Sequence, residues 1–174
     1  KSVDMTKLTH VNVAFVNPVN EAGDLSPNLN LKEAADYCHT NNVKILASIA
    51  GANASKTLYE TLLTDVNRTG FIAKLLAFAV DNHLDGIDVD LEGDAVGPNY
   101  EKFVVELKSV LSQNNLLTTA AVGTWYSNRI SNEALAQFDF VNIMSYDITG
   151  PWAPGIPGQH SPYSLAVSDL NHWI

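Results

Sequence analysis

Short apolar runs alternate with longer segments of helical periodicity along this chain. The runs are rich in Val, Ile and aromatic residues and are bounded by Gly, Pro or Asn, which is typical of buried β-strands. Strands are predicted at Val11 to Val16, Val43 to Ile49, Gly86 to Leu91, Leu117 to Val122 and Phe140 to Tyr146. Because the runs recur at roughly 25 to 40 residues, close to the length of a strand–helix unit, the sequence predicts an α/β fold with a parallel sheet.

The segments between the runs predict helices, because apolar residues lie three and four positions apart on one face of each. These helices are predicted to begin near Leu31, Phe71, Phe103 and Ser131, the last with a weaker pattern. A final helix is expected after Ser161, with Ser161 as its N-cap and Pro162 at its first position. Each helix is therefore expected to cover one face of the sheet.

Strand–helix units build either an open doubly wound sheet or a closed barrel of eight units, and the barrel typically needs about 250 residues. The chain has 174 residues, so a barrel made from it would be incomplete. An open parallel sheet has unpaired edges that favour aggregation. We therefore expect these residues to belong to a longer protein, or to exchange strands or oligomerise with other copies.

The composition excludes several classes of protein. The chain is 46 % hydrophobic and 17 % charged, as expected for one globular domain, and no apolar run is long enough to span a membrane. A net charge of −9 argues against nucleic acid as a partner and favours a neutral or cationic ligand. Cys38 is the single cysteine and the five histidines lack metal-ligand spacing, so neither a metal nor another cofactor is expected.

Three carboxylates follow one another on one face of the third predicted strand. Side chains alternate along a strand, so Asp88, Asp90 and Glu92 share one face and apolar residues share the other. Such neighbours are about 6 to 7 Å apart along the backbone, and all three cannot ionise cheaply, so a proton is retained near neutral pH. The pattern predicts a general acid, with Glu92 at the carboxyl end of the strand, where active sites of barrels and open α/β sheets lie.

Two other interpretations of the acidic run are possible. Asp88, Asp90, Glu92 and Gly93 imitate the first half of an EF-hand calcium loop, but the twelfth position is Asn99, where a bidentate Glu is needed. A solvated acidic edge strand would carry charged residues on both faces. The apolar alternate face argues against both interpretations.

The acidic run resembles the DGxDxDxE signature of family 18 glycoside hydrolases, the chitinases and related endo-β-N-acetylglucosaminidases. Other motifs of that family follow the same order. They are Leu8 to Phe15 (second strand), Ser48-Ile49-Ala50-Gly51 (third-strand SxGG), Met144-Ser145-Tyr146-Asp147 (sixth-strand MxYD) and Asp147 to Trp152 (the following loop). Ala50 stands where the family has Gly, and its methyl group narrows the barrel floor beside the acids.

The resemblance implies a (β/α)8 TIM-barrel, of which residues 1–174 supply about strands two to six, without the first and last strands. It also implies retaining hydrolysis in which the N-acetyl oxygen of the sugar is the nucleophile. Glu92 would then be the acid and later the base, and Asp90 would orient the acetamido group and stabilise the oxazolinium intermediate. Asp88 would share a proton with Asp90. Tyr146 would donate to the acetamido oxygen, and Asp147 would place a carboxylate near the reacting sugar.

Sugar-binding residues are expected in the loops that follow the fifth and sixth strands of the family barrel. Trp125, Tyr126 and Trp152 offer flat apolar faces that can stack on sugar rings, although packing is an equal alternative for Trp125. Within the motifs, Ser48 and Met144 complete the expected substrate-binding set. Tyr146 taken alone, without its motif, would be assigned to the core, and Trp173 and Asp85 are expected to be structural.

The function implied by the resemblance is hydrolysis of β-1,4-linked N-acetylglucosamine in chitin or chito-oligosaccharides. One alternative is cleavage of the chitobiose core of N-glycans, but the pair Tyr146-Asp147 favours a chitinase. Another is a chitinase-like sugar-binding protein that has lost the acid, which the presence of Glu92 disfavours. The location of such polymers implies a secreted, periplasmic or cell-surface protein.

Overall fold

The computed structural model describes residues 3–26, 30–152 and 154–174. In these residues a parallel sheet of five strands follows the order of the sequence. The strands are β1 (His10–Ala14), β2 (Lys44–Ala50), β3 (Gly86–Asp90), β4 (Leu117–Val122) and β5 (Phe140–Ile143). The predicted α/β class is confirmed. β5 is shorter than predicted, because the chain turns at once after Ile143, whose carbonyl accepts from the backbone N–H of Ser145.

Helices lie between consecutive strands, and one more helix follows β5. They are α1 (Leu31–Thr40), α2 (Lys56–Leu62), α3 (Arg68–Asp81), α4 (Tyr100–Gln113), α5 (Asn132–Leu135) and α6 (Tyr163–Trp173), with short 3-10 helices at Met5–Lys7, Gly93–Ala95 and Thr124–Arg129. The sequence did not predict α2, which has only seven residues and begins after the capping hydroxyl of Ser55. In the part of the chain that the structure describes, no helix is both long and apolar enough to cross a membrane.

The start of α6 differs from the prediction by one residue. Pro162, and not Ser161, is the N-cap of this helix, and it makes no side-chain capping bond. The hydroxyl of Ser161 instead donates to the carbonyl oxygen of Ser145 at 2.6 Å. The Ser161 hydroxyl therefore makes a tertiary hydrogen bond and not the helix-capping bond that the local sequence predicts.

The two faces of the sheet differ in chemistry. The outer face carries the apolar members of each strand, among them Ile45, Ile49, Ile87 and Val89, which are at most 1 % exposed and pack in the core under the helices. The inner face carries the polar members. Asp88 on β3 lies between Ser48 on β2 and Thr119 on β4 in the strand register.

The sheet is strongly curled. His10 begins β1 and Phe140 begins β5, which are the two outermost strands, yet their ring centroids are 5.0 Å apart. In a flat sheet four strand spacings would separate them by about 19 Å. The five strands therefore form about half of a barrel wall, and the inner-face side chains point into its interior. This curvature confirms the predicted TIM-barrel type of fold.

Candidate active site

Asp88 is the most deeply buried of the three acids and is held from both neighbouring strands. The hydroxyl of Ser48 donates to its Oδ2 at 2.8 Å, and the hydroxyl of Thr119 donates to its Oδ1. Burial raises the pKa of Asp88, while the hydroxyls of Thr119 and Ser48 lower it. Ser48, expected to contact substrate, is only 3 % exposed and is committed to Asp88, so it supports the acid and does not line the open cleft.

Asp90 lies nearer the carboxyl end of β3 and is 6 % exposed. Its Oδ1 is buried and has no hydrogen-bond partner among the described residues. Burial, together with the charges of Glu92 and Asp88, raises the pKa of Asp90 to about 7. A carboxyl group of this kind retains its proton up to neutral pH, as the sequence predicted for the acidic row.

Glu92 follows β3 in extended conformation and is the N-cap residue of the 3-10 helix Gly93–Ala95. It is half-buried, and burial followed by the charge of Asp147 raises its pKa. The side chain borders an open cavity of about 250 Å³ at the carboxyl end of the sheet. The lining residues are Phe15, Asn17, Ala50, Ala52, Asn53, Asp90, Glu92, Met144, Tyr146 and Asp147.

This cavity brings together five residues that lie far apart in the sequence. Asp90 is the last residue of β3 and Glu92 follows it by two positions, whereas Met144, Tyr146 and Asp147 come from the segment after β5. The geometry places an acid with a raised pKa beside a second carboxyl group, a phenol hydroxyl and a third carboxylate. Such a set can protonate a leaving group and stabilise positive charge that develops next to it.

A partly buried hydrogen-bond network supports the wall of the cavity beside the acids. The side chain of Asn17 donates to the carbonyl oxygen of Ala50 at 2.9 Å and accepts from the N–H of Ala50 at 2.7 Å. The hydroxyl of Tyr59, on α2, donates to Asn17 Oδ1 at 2.6 Å. Sequence reasoning missed Asn17 and Tyr59, since neither lies in a recognisable motif and α2 itself was not predicted.

The indole of Trp125 is 74 % exposed and packs over Gly93, where an added Cβ would lie 2.5 Å from the ring. Gly93 has φ +52° and directly follows Glu92, so only a glycine combines this backbone with this contact. Trp152 is 59 % exposed and packs in the same way over Gly150. Both indoles therefore present a free face near the carboxyl end of the sheet.

Tyr126 occupies a different environment from the one that the sequence suggested. Its side chain is 1 % exposed and packs edge-on against Trp125, with ring centroids 4.8 Å apart. Its buried hydroxyl has no hydrogen-bond partner within the described residues. Tyr126 therefore has no free face on which a sugar could stack, and the expected stacking role is corrected to one of packing beneath Trp125.

The two residues expected to be structural lie outside the cavity. Asp85 accepts from the backbone N–H of Ile45 at 2.8 Å and contacts Nε2 of His39 at 2.8 Å. Trp173, on α6, packs against the core and donates from Nε1 to the hydroxyl of Thr124 at 3.1 Å. Across the ranges that the structure describes, no three His, Cys, Asp or Glu side chains are grouped so as to hold a metal ion.

A curled parallel sheet with a row of acids leading to a cleft at its carboxyl end is typical of the (β/α)-barrel class of proteins. Within that class the chain belongs to the glycosyl hydrolases of family 18, whose family model matches residues 1–174.

Individual relatives agree with this assignment. The crystal structure of the GH18 chitinase ChiB from the chitin utilization locus of Flavobacterium johnsoniae is 39 % identical, with a TM-score of 0.91 over 98 % of this chain and 57 % of that one. A chitinase-like effector of Moniliophthora roreri is 27 % identical over 99 % of this chain and 50 % of its own length. The secreted chitinase LysM12 of Penicillium expansum is 26 % identical over 89 % of this chain and 12 % of its own length. The chain thus spans about half, or less, of the proteins it matches.

Proposed function

We propose that this chain carries the catalytic acids of a retaining chitinase, which hydrolyses β-1,4 linkages between N-acetylglucosamine units. The observation that carries the proposal is the position of Glu92, which borders an open cleft beside Asp90. The pKa values of both carboxyl groups are raised. A raised pKa makes a carboxyl group better suited to general acid catalysis. Membership of the family supports the same chemistry.

In the proposed first step, the protonated carboxyl group of Glu92 gives its proton to the glycosidic oxygen, and the bond from that oxygen to the anomeric carbon breaks. The acetamido oxygen of the same sugar attacks the anomeric carbon, which forms a cyclic oxazolinium ion and releases the leaving sugar. In the second step, Glu92 removes a proton from water, and the water oxygen bonds to the anomeric carbon while the bond from that carbon to the acetamido oxygen breaks, which restores the N-acetyl group. Two displacements at one carbon retain its configuration.

Asp90 and Asp88 set the charge beside the acetamido group. The two carboxyl groups share a proton in this proposal, because burial, and then the charges of Glu92 and Asp88, raise the pKa of Asp90. The hydroxyls of Ser48 and Thr119 occupy both oxygens of Asp88 and so stabilise its anionic form. As positive charge develops on the acetamido group, Asp90 orients and stabilises it.

The remaining cleft residues orient the sugar. Tyr146 is half exposed and lines the cleft with Asp147. In this proposal the Tyr146 hydroxyl donates a hydrogen bond to the acetamido oxygen, and the carboxylate of Asp147 lies close to the reacting sugar. Met144 provides an apolar contact in the floor of the cleft. Trp152 and Trp125 stack on sugar rings with their exposed indole faces, since such faces match the apolar face of a pyranose.

A second candidate function is sugar binding without hydrolysis. One relative carries the name chitinase-like effector, which does not describe it as an enzyme. Glu92 and its neighbours favour hydrolysis here. Within the enzymes, the pair Tyr146-Asp147 favours chitin over the chitobiose core of N-glycans as substrate.

We further propose that strands of a longer polypeptide complete the barrel. The proposal is supported by the curl of the sheet and by relatives about twice as long as this chain. Gel filtration and calorimetry of residues 1–174 alone are expected to show association or loss of cooperative unfolding, since β1 and β5 leave unpaired edges. A compact monomer with one cooperative transition contradicts this proposal.

The place of action proposed for the protein is outside the cytoplasm, at a cell surface, in a periplasm or in the medium. Insoluble chitin lies there, and one relative is named a secreted chitinase. Fractionation of the producing cells, with activity measured in each fraction, tests this directly. Activity confined to the cytoplasm contradicts it.

Glu92→Gln in the full-length protein tests the catalytic proposal. The amide keeps the shape of the side chain but cannot supply a proton, so we expect kcat on a chromogenic chito-oligosaccharide to fall by several orders of magnitude. The Kd for an unlabelled oligomer, measured by calorimetry, should change little. Glu101→Gln, at an exposed position of α4, is the matched control.

Three outcomes separate the candidates. Near-normal turnover by the Glu92→Gln variant shows that the acid is misassigned. Binding of chito-oligomers without turnover by the unmodified protein supports sugar binding instead. Turnover of a high-mannose glycoprotein but not of chito-oligomers supports cleavage of N-glycans.

A further inference from the structure

Hydrogen bonds join the residues around Asp147 to those around His160 next to the end of β5. The backbone N–H of Ile148 donates to the carbonyl oxygen of His160 at 3.1 Å. The next residue, Ser161, donates from its hydroxyl to the carbonyl oxygen of Ser145 at 2.6 Å. These bonds fix the backbone of His160 beside the strand end that carries Tyr146 and Asp147, although His160 is 13 positions further along the chain than Asp147.

The imidazole of His160 contacts three residues of the proposed sugar site. Its Nε2 is 2.7 Å from Oδ1 of Asp147. Its ring stacks parallel to that of Tyr146, with centroids 6.4 Å apart and an angle of 4° between the planes. On another side the ring of Trp152 meets it edge-on at 6.0 Å. His160 itself does not line the cavity that holds Glu92.

These contacts determine the orientation of groups that are otherwise free to turn. Asp147 and Tyr146 are both about half exposed or more, so solvent alone would allow several rotamers. A hydrogen bond to one oxygen of Asp147 selects one direction for its carboxylate, and a flat ring against Tyr146 restricts the plane of the phenol. A displacement of about 1 Å in such groups is enough to slow a reaction by two orders of magnitude.

We propose that His160 is a positioning residue, which holds Asp147 through Nε2 and Tyr146 through its ring in the orientation that the reacting sugar requires. This role rests on the proposed function. No motif in the sequence indicates it, because His160 lies far along the chain from Tyr146 and no metal-ligand spacing surrounds it.

Three variants of the full-length protein separate the two contacts. His160→Phe keeps a flat ring against Tyr146 but has no donor for Asp147. His160→Gln places an amide N–H near the position of Nε2 but has no ring, and His160→Ala lacks both. Because Asp147 and Tyr146 act on the reacting sugar, we expect His160→Ala to lower kcat at least about tenfold and to change KM less than about twofold.

The conservative variants should recover part of this loss. His160→Gln is expected to regain about half of the lost kcat on a logarithmic scale through the bond to Asp147, and His160→Phe should lie between His160→Gln and His160→Ala. His39→Ala is the matched control, because His39 makes an exposed 2.8 Å contact with Asp85 outside the cavity. It should leave kcat and KM unchanged.

A spectroscopic measurement tests the contact without any turnover. Asp147→Asn should shift the imidazole 15N resonances of His160 in the free protein and leave those of His39 in place. Unchanged His160 resonances, or normal kcat in His160→Ala, overturn the proposal. If the unmodified protein binds chito-oligomers without hydrolysing them, the proposed function fails, and the 15N measurement alone then decides whether His160 holds Asp147.

Discussion

The backbone N–H of Gly51 donates to the carbonyl oxygen of Asp90 at 2.8 Å, which joins the end of β2 to the end of β3 beside the proposed reaction centre. Ala50 and Gly51 both have positive φ, +78° and +79°. This conformation suits glycine and is unfavourable for other residues. Ala50, which stands opposite Asp90 in the strand register, is therefore held in a strained backbone conformation by the site that surrounds it.

Ala50→Gly should leave the free energy of unfolding within about 1 kcal/mol of its original value. Release of the left-handed strain stabilises the variant by about 1 to 2 kcal/mol. Loss of a buried methyl group, about 0.8 kcal/mol, and the greater flexibility of glycine in the unfolded chain, about 0.5 to 1 kcal/mol, oppose it. Urea unfolding measures the sum.

Ala47→Gly provides the matched control for this prediction. Ala47 is also fully buried in β2, but it is not among the residues with positive φ. The loss of the methyl group and the greater flexibility of the unfolded chain then act alone, and a loss of about 1.3 to 1.8 kcal/mol is expected. Equal losses in the two variants would show that Ala50 is not strained.

Asp90→Asn should gain stability relative to the unmodified protein as the pH rises. The pKa of Asp90 is about 7 in the folded protein against an ordinary value of 3.8, so between these values the unfolded chain releases a proton that the folded chain keeps. The stability of the unmodified protein therefore falls as pH rises from about 4 to 7, and the variant lacks this loss. The difference in free energy of unfolding between the variant and the unmodified protein should therefore grow by a few kcal/mol over this pH range. Urea unfolding at several pH values measures it.

Asp139→Asn should show the opposite pH dependence. Burial raises the pKa of Asp139, but hydrogen bonds from Lys108 at 2.7 Å and from the N–H of Thr118 at 2.8 Å outweigh burial and lower it. Asp139 therefore stabilises the folded protein at pH values above its pKa in the unfolded chain, and this stabilisation is lost as the pH falls through its lower pKa in the folded protein. The variant should therefore be destabilised most near neutral pH. A common pH dependence in the two variants contradicts the assignment for Asp90.

Local patterns in the sequence are sufficient to predict the sheet and the acids. The outer faces of the strands must be apolar to pack under helices, so the alternation of Ile87 and Val89 with acidic residues is enough to predict β3. The same alternation assigns Asp88 and Asp90 to the opposite face, where they lie in the folded chain. Side-chain parity is a local property, and it does not depend on how distant parts of the chain meet.

Contacts between distant segments could not be predicted in this way. Asn17 and Tyr59 meet across 42 positions, and His160 meets Asp147 across 13. Tyr126 is buried and the adjacent Trp125 is exposed, and nothing in the local sequence predicts which of the two is buried. Such features depend on how the curled sheet brings distant segments together.

Thr119→Val should destabilise the protein by about 1 to 3 kcal/mol at neutral pH, because it removes a donor from the buried carboxylate of Asp88. The pKa of Asp88 should rise further, and kcat should fall more than KM changes. Thr118→Val is the control on the adjacent residue. The buried hydroxyl of Thr118 has no partner within the described residues, so its removal should be neutral or stabilising. The same destabilisation in both variants, by urea unfolding, refutes the special role of Thr119.

Trp152→Ala should weaken binding of a chito-oligosaccharide with little change in the free energy of unfolding. The indole is 59 % exposed over Gly150, so a stacked sugar would bury on the order of 80 Å² of it, worth about 2 kcal/mol or about thirtyfold in Kd. Trp152→Phe keeps a smaller flat face and should lose less. Trp173→Phe, in the packed indole that donates to Thr124, should lower stability and leave Kd unchanged. Calorimetric titration that gives equal Kd values for Trp152→Ala and the unmodified protein removes Trp152 from the sugar site.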